Sequence, residues 1–177
     1  LKQQQLTEID IQPYKHLLED EYQKNALSMV AKQSLNIITG GPGTGKTTII
    51  KGIVELYKKL HHLTFDELTN ELVLLAPTGR AAKRMSEATG REAKTIHRLL
   101  EVEWDEDDKP VFRRDTKNPL DCNALILDEL SMVDIHLFAS LLDAMKLGCR
   151  LIMVGDSDQL PAVGAGNVLH DLIDSGL

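Results

Sequence analysis

The stretch that decides the fold is IITGGPGTGKTTII, residues 37–50, where four glycines and a proline lie between two apolar runs. It matches the pattern G-x-x-x-x-G-K-[ST] through Gly40, Gly45, Lys46 and Thr47, with a strand-like run before it and a helix-like run after it. Glycines allow successive backbone N–H groups to turn inward, and at the start of a helix these groups form a concave anion site. The stretch therefore predicts a phosphate-binding loop in an α/β domain.

This loop also predicts which groups contact a nucleoside triphosphate. Lys46 is expected to reach the β- and γ-phosphates, and the Thr47 hydroxyl to bind Mg²⁺. The phosphates are expected to lie against one continuous segment, made of Gly41, Pro42, Gly43, Thr44, Gly45, Lys46, Thr47 and Thr48. The alternative, a glycine-rich turn that only joins a strand to a helix, is disfavoured because both the spacing and the flanks match.

Length, composition and charge limit the class of protein. A chain of 177 residues with 42% hydrophobic content suits one soluble α/β domain. No segment resembles a signal peptide, and no apolar run approaches the roughly 18 to 20 residues of a membrane span, so a cytoplasmic location is expected. The net charge of -7 argues against indiscriminate binding to nucleic acid but permits a local basic face. Cys122 and Cys149 adjoin apolar runs and are expected to be buried free thiols.

The pattern along the chain predicts a doubly wound, mainly parallel sheet with helices on both faces. Four short apolar runs, SLNIIT, ELVLLA, NALILD and CRLIMV, are typical of strands buried on both sides. Helical spacing of apolar residues follows in four segments, which are 47–60, 79–88, 133–145 and 168–173.

Three further segments complete this organisation. Residues 1–33 form a lead-in with helical spacing from about residue 7, and residues 61–70 indicate a polar connection. Residues 101–115, EVEWDEDDKPVFRRD, alternate around an acidic turn and predict a hairpin inserted into the domain. Trp104 is expected to pack within that hairpin, with stacking on a nucleobase as the alternative.

Paired acids follow the strand-like run NALIL, where α/β sheets place their ligands. Asp128 is expected to hold Mg²⁺ through water, and Glu129 to orient and deprotonate an attacking water. A glutamate beside the metal-binding aspartate indicates hydrolysis, and no guanine-reading Asn-Lys-x-Asp pattern is present, so ATP is the expected nucleotide. Gln159, which follows another strand-like run, is expected to contact the γ-phosphate. Solvated acids at an ordinary strand end are the alternative.

Five segments together resemble superfamily-one DNA helicases of the RecD/TraA branch: GGPGTGKTT, APTGRAAKRMSEATG, TIHRLL, LDELSMVD and GDSDQLPAVGAGNVL. They extend from Gly40 to Leu169, and the second and fifth are more specific than the phosphate loop. Leu130 is a small departure, because alanine or serine is commoner there. The resemblance implies that residues 34–177 form a RecA-like first motor domain, that Gln23 reads adenine, and that the second motor domain lies outside this chain.

The resemblance also implies contacts with single-stranded DNA from six residues, Pro77, Thr78, Gly79, Arg80, Thr95 and His97. Residues 79–98 carry six basic side chains against two acidic ones, an excess that suits this interpretation although a solvated helix face would carry it equally well. His97 is as readily a structural residue as a contact.

At the level of the whole protein, the resemblance implies ATP-dependent 5′-to-3′ movement on single-stranded DNA and duplex unwinding. Its expected partners are the strand, the second RecA-like domain of the full-length chain and possible nuclease-helicase subunits. The isolated domain is expected to bind ATP and to hydrolyse it slowly. Two alternatives stay open: a motor within a nuclease-helicase complex or relaxase fusion, and an ATP-gated DNA clamp that does not hydrolyse.

Overall fold

The structure is a computed structural model that describes residues 35–40 and 45–156. Its strands are β1 (Leu35–Thr39), β2 (Leu72–Ala76), β3 (Ala93–Thr95), β4 (Val102–Trp104), β5 (Pro110–Phe112), β6 (Ala124–Leu127) and β7 (Arg150–Gly155). Its helices are α1 (Lys46–Leu60), α2 (Phe65–Glu71), α3 (Gly79–Thr89), α4 (Ile96–Leu99) and α5 (Ile135–Ala144), with a 3-10 turn at Leu130–Met132.

Several predictions concern residues outside this part of the chain. These are the lead-in with Gln23, the loop residues 41–44, Gln159 and the helix expected at 168–173. They stay predictions.

Five strands form one sheet in the order β1-β7-β6-β2-β3, and every neighbouring pair is parallel. All four strands predicted from the apolar runs lie in this sheet. The sheet is therefore the parallel, doubly wound arrangement that the strand and helix pattern predicts.

Alternate side chains of each central strand enter two different cores. Along β6, Ala124 and Ile126 pack on the side of α1 and α3, whereas Leu125 and Leu127 pack on the side of α4 and α5. All four are fully buried. The helices thus cover both faces of the sheet, as predicted, and the buried apolar runs are explained by contact on both sides.

The polar connection predicted at residues 61–70 is wrong, because α2 begins within it. Thr64 caps this helix: its hydroxyl accepts a hydrogen bond from the Glu67 backbone N–H at 3.3 Å, and the Glu67 carboxylate accepts from the Thr64 N–H at 2.7 Å. The T-x-x-E spacing of this capping box was readable in the sequence. Leu68 is the buried residue of the helix and anchors it to the core.

The hairpin predicted at residues 101–115 is present, with β4 antiparallel to β5. The expectation that Trp104 packs within it is wrong, because this side chain lies opposite Pro110 and is 63% exposed. Strand β3, at the edge of the main sheet, was not predicted: it has only three residues. Cys122 and Cys149 are buried free thiols, as expected.

Among the described residues, no helix combines the length and the apolar character that crossing a membrane requires.

Candidate nucleotide site and strand-facing edge

Three polar segments meet at one edge of the sheet because they follow neighbouring strands. Gly40 follows β1, Asp156 follows β7 and Asp128 follows β6, and these three strands are adjacent. The Gly40 N–H donates to the Gly155 carbonyl at 3.3 Å, which joins the first two segments. Helix α1 begins at this edge after Gly45, whose φ of 81° lies in the left-handed region that glycine adopts readily. This is the carboxyl edge, where parallel sheets bind ligands.

Lys46 lies across the beginning of the glycine loop. Its Nζ donates to the Gly40 carbonyl at 2.7 Å and lies 4.0 Å from Asp156 Oδ2. The Asp156 side chain is only 2% exposed. These contacts hold the ammonium group beside Gly40 at the end of β1. There its positive charge would attract a bound phosphate.

Asp156 was not among the predicted site residues. The sequence signal that could have identified it is its place directly after the apolar run of β7, which corresponds to the place of Asp128 after β6. Gln159, three positions later, was predicted instead as the γ-phosphate contact of this segment.

Asp128 and Glu129 lie where β6 ends, as predicted. The Asp128 N–H donates to the Leu75 carbonyl at 2.9 Å, which continues the sheet, and Asp128 Oδ1 accepts from the Glu129 N–H at 2.8 Å. Burial raises the pKa of the Asp128 carboxyl above its ordinary value. The hydrogen bond from Glu129 and the charges of Lys46 and Arg84 lower that pKa, in part cancelling the effect of burial.

Glu129 adopts a left-handed backbone conformation with φ 57° and ψ 39°. Such a conformation costs a non-glycine residue roughly 1–2 kcal/mol. It persists because the Met132 N–H donates to the Glu129 carbonyl at 2.9 Å and because Leu130 is fully buried. The turn between β6 and the 3-10 turn therefore presents the Glu129 side chain at the edge of the sheet, where it is 19% exposed.

Thr47, Asp128 and Glu129 line one open pocket of about 190 Å³, together with Arg84 from α3. Hydroxyl and carboxylate oxygens are ligands that suit Mg²⁺, which usually keeps waters and binds few protein groups besides substrate phosphates. Within residues 35–40 and 45–156, no three or more His, Cys, Asp or Glu side chains are arranged so that they could hold a metal ion by themselves. Thr47 and Asp128 fit a site that binds the ion together with a phosphate.

The residues expected to follow single-stranded DNA begin at the same edge, after β2. Thr78, Gly79 and Arg80 are exposed, and Pro77 is half-buried. The Thr78 hydroxyl accepts from the Ala81 N–H at 3.2 Å and caps α3. Their exposure leaves these groups accessible to a strand.

Thr95 and His97 have structural contacts of their own. The Thr95 hydroxyl accepts from the Arg98 N–H at 3.1 Å and caps α4. The His97 ring lies 5.9 Å from the ring of Phe112 in the hairpin. Both residues help to join β3 to the hairpin, and their contact with DNA stays a prediction.

Three of the basic side chains in residues 79–98 contact other residues of the domain. Arg98 pairs with Glu92 at 3.6 Å, and Arg91 lies 4.9 Å over the Phe65 ring. Arg84, on α3, reaches Glu129 with a distance of 3.4 Å between Nη2 and Oε1. Arg84 is one of the six basic residues of this segment, and its contact could not be predicted from the sequence because its partner lies 45 positions further along the chain.

The chain is similar to several known proteins. The family model described as "AAA domain" matches residues 23–165. The chain is 41% identical over 170 residues to "RecBCD enzyme subunit RecD" of Mycobacterium tuberculosis, covering 86% of this chain and 28% of that protein. It is 42% identical over 146 residues to "ATP-dependent RecD2 DNA helicase" of Deinococcus radiodurans, covering 82% of this chain and 19% of that protein.

Among solved structures, the crystal structure of Pif1 helicase from Candida albicans is similar with a TM-score of 0.57 and 22% identity, over 83% of this chain and 34% of that one. This likeness shows a shared fold. The chain spans under a third of the length of the Mycobacterium tuberculosis and Deinococcus radiodurans relatives. The chain belongs to the AAA domain family and is a RecD-like superfamily-one helicase motor domain.

Proposed function

We propose that this domain binds ATP with Mg²⁺ and that the full-length protein couples ATP hydrolysis to 5′-to-3′ movement on single-stranded DNA and to duplex unwinding. The observation that carries the proposal is the shared pocket of Thr47, Asp128 and Glu129, next to Lys46 and the glycine loop. A hydroxyl, two carboxylates and an ammonium group in one place suit phosphoryl transfer.

Each of these side chains has a separate task. The Lys46 ammonium moves from the Gly40 carbonyl to phosphate oxygens and neutralises their charge. Thr47 and Asp128 hold Mg²⁺, which, when bound, neutralises charge on the phosphates. The Glu129 carboxylate accepts a proton from the attacking water. Gln159 contacts the γ-phosphate, and Gln23 reads the adenine edge, which can both accept and donate hydrogen bonds.

The strand follows the segment that leads into α3, at Pro77, Thr78, Gly79 and Arg80, with Thr95 and His97 further along. Thr78 and Arg80 offer a hydroxyl group and a cation to phosphate oxygens, which are the contacts that position a nucleic acid without reading its sequence. The name of the Deinococcus radiodurans relative describes an ATP-dependent DNA helicase, which supports DNA as the partner of this surface.

Turnover in the full-length protein depends on a second RecA-like domain. Such domains supply arginines that neutralise charge in the transition state, a contribution of about 10³ to 10⁵ in rate. The isolated domain is therefore expected to bind ATP but to hydrolyse it slowly. Rapid, strand-stimulated hydrolysis by the isolated domain would contradict this part of the proposal.

The experiment uses the full-length protein that contains this domain, with duplexes carrying a 5′ tail, a 3′ tail or no tail. We expect unwinding that requires ATP and Mg²⁺ and starts only from the 5′ tail. Unwinding only from the 3′ tail would overturn the polarity. Hydrolysis without unwinding of any duplex would keep the nucleotide site and favour a motor that needs nuclease-helicase subunits. ATP-dependent binding of the strand without hydrolysis would favour a clamp.

A further inference from the structure

Arg84 is a charged residue to which neither the proposed nucleotide site nor the proposed strand contacts assign a role. It lies in the middle of α3, five positions after the first residue of the helix at Gly79. Its guanidinium reaches across the pocket to the end of β6, where Nη2 lies 3.4 Å from Glu129 Oε1. The two residues belong to different elements and meet only because α3 packs beside the carboxyl edge of the sheet.

The position of Arg84 is fixed by the packing of its helix. Ala81, Ala82 and Met85 are buried against the sheet, and the Thr78 hydroxyl caps the first turn. Because these contacts fix the rotation of α3 about its axis, the side chain at position 84 points toward the pocket it shares with Thr47, Asp128 and Glu129.

The position of Glu129 is also fixed, but only in its backbone. The left-handed turn and the hydrogen bonds of its N–H and carbonyl determine where the side chain begins. The carboxylate itself is 19% exposed and lies 3.4 Å from the Arg84 guanidinium, so the contact with Arg84 restrains its orientation. A general base must be held within hydrogen-bond reach of the water that it deprotonates.

From these contacts we propose that Arg84 is a positioning residue that orients the Glu129 carboxylate toward the attacking water. The inference rests on the proposed function of Glu129 and names a further residue on which that function depends. Arg84 acts through Glu129 and does not contact the nucleotide or the strand. Its side chain is 65% exposed and its contact with Glu129 is of moderate length, so the effect is on geometry and not on stability.

The test measures ATP hydrolysis by the full-length protein, with kcat and KM determined at saturating single-stranded DNA. Arg84→Ala is expected to lower kcat about tenfold, a part of the 10²- to 10⁴-fold that a general base contributes. KM for ATP and the Kd for the strand are expected to stay within about twofold, because a base that acts only in the transition state does not contribute to the binding of ATP or of the strand before the reaction. Arg84→Lys is expected to regain part of kcat, since an ammonium group can contact the same carboxylate.

Glu87→Ala is the matched control, because Glu87 is an exposed residue of the same helix outside the pocket. It is expected to leave kcat, KM and the melting temperature unchanged. An Arg84→Ala melting temperature equal to that of the wild type shows that the loss of kcat is not a folding defect. A Glu87→Ala kcat as low as that of Arg84→Ala would overturn the proposal.

The decisive measurement repeats Arg84→Ala in a Glu129→Gln background, under single-turnover conditions that resolve slow hydrolysis. If Arg84 acts through Glu129, the double variant hydrolyses at the rate of Glu129→Gln alone. A further tenfold loss would show that Arg84 acts on the phosphates directly. A weaker Kd for the strand with kcat retained would make Arg84 a DNA contact. Either result overturns the proposal, and neither affects the role of Glu129, which Glu129→Gln tests by itself.

Discussion

The carboxyl edge of the main sheet and the β4–β5 hairpin both carry many charges, but they use them differently. At the edge, Asp156 is 2% exposed and Glu129 is 19% exposed. In the hairpin, Arg113 pairs with Glu103 while both side chains stay more than half exposed. Burying a charge is costly unless a partner or ligand compensates it, whereas exposed pairs contribute little. The difference separates the buried charges of the edge, which need a partner or a ligand, from the solvated charges of the hairpin.

The largest effect in this comparison is expected at Glu129. Glu129→Gln keeps the size and the hydrogen-bonding ability of the side chain but removes the base. We expect ATP hydrolysis by the full-length protein to fall about 10²- to 10⁴-fold while ATP still binds, so that the variant accumulates bound ATP. Rapid-quench hydrolysis and nucleotide binding are the measurements. Glu87→Gln, an exposed change on α3, is the control, and normal hydrolysis by Glu129→Gln would remove Glu129 as the base.

Lys46→Ala is expected to have the next largest effect. The variant loses the ammonium group that contacts the Gly40 carbonyl and approaches Asp156. Loss of one such charged donor lowers kcat by about 10²- to 10³-fold. Steady-state hydrolysis and duplex unwinding by the full-length protein are the measurements. The matched control is Lys51→Ala, which removes an exposed lysine of the same helix, and unwinding retained in Lys46→Ala would contradict the site.

A smaller effect is expected at a third region, the capping box of α2. Thr64→Ala removes the hydroxyl that accepts from Glu67, and we expect the melting temperature to fall by about 2–4 °C with no change in ATP hydrolysis. Thermal unfolding measures this effect. Thr116→Ala, in an exposed loop, is the control and is expected to leave the melting temperature unchanged.

The same cap predicts a dependence on pH. The hydrogen bonds from the Thr64 backbone and hydroxyl lower the pKa of the Glu67 carboxyl below its ordinary value. A carboxyl whose pKa is lowered in the folded state stabilises the protein above its unfolded pKa, and this contribution is lost as the pH falls through the folded pKa. The difference in melting temperature between wild type and Thr64→Ala is therefore expected to narrow at acidic pH, and the part that comes from the bond between the Thr64 hydroxyl and the Glu67 N–H is expected to stay. A difference that grows on acidification would contradict the role of Glu67.

The smallest effect is expected in the hairpin. Arg113→Ala removes the partner of Glu103, and because both side chains are exposed we expect the melting temperature to change by no more than about 1 °C. Thermal unfolding at low and high salt is the measurement. A decrease comparable with that of Thr64→Ala would show that charges of the hairpin stabilise the fold, and the contrast with the carboxyl edge would then fail.

Features that depend on residues close together in the chain were mostly predicted correctly, whereas features that depend on residues far apart in the chain were mostly missed. The glycine loop, Lys46 and Thr47 are adjacent, and the apolar runs of four strands carry their own signal. Strand β3 was missed because its three residues form a strand only by pairing with β2. Helix α2 was missed although the T-x-x-E spacing at Thr64 is local, because its one buried residue, Leu68, leaves almost no apolar pattern.

The amino-acid sequence by itself determined the class of fold and the place of the pair Asp128-Glu129 at a strand end, and it predicted the phosphate loop, because each depends on neighbouring residues or on a repeated apolar pattern. Only the tertiary structure decided that Asp156 lies beside Lys46, that Arg84 reaches Glu129 and that Trp104 is exposed. The first two of these, the contacts of Asp156 and Arg84, depend on the order of the strands and on the rotation of α3 about its axis. Both are set by packing over the whole sheet, which no short segment of the chain encodes.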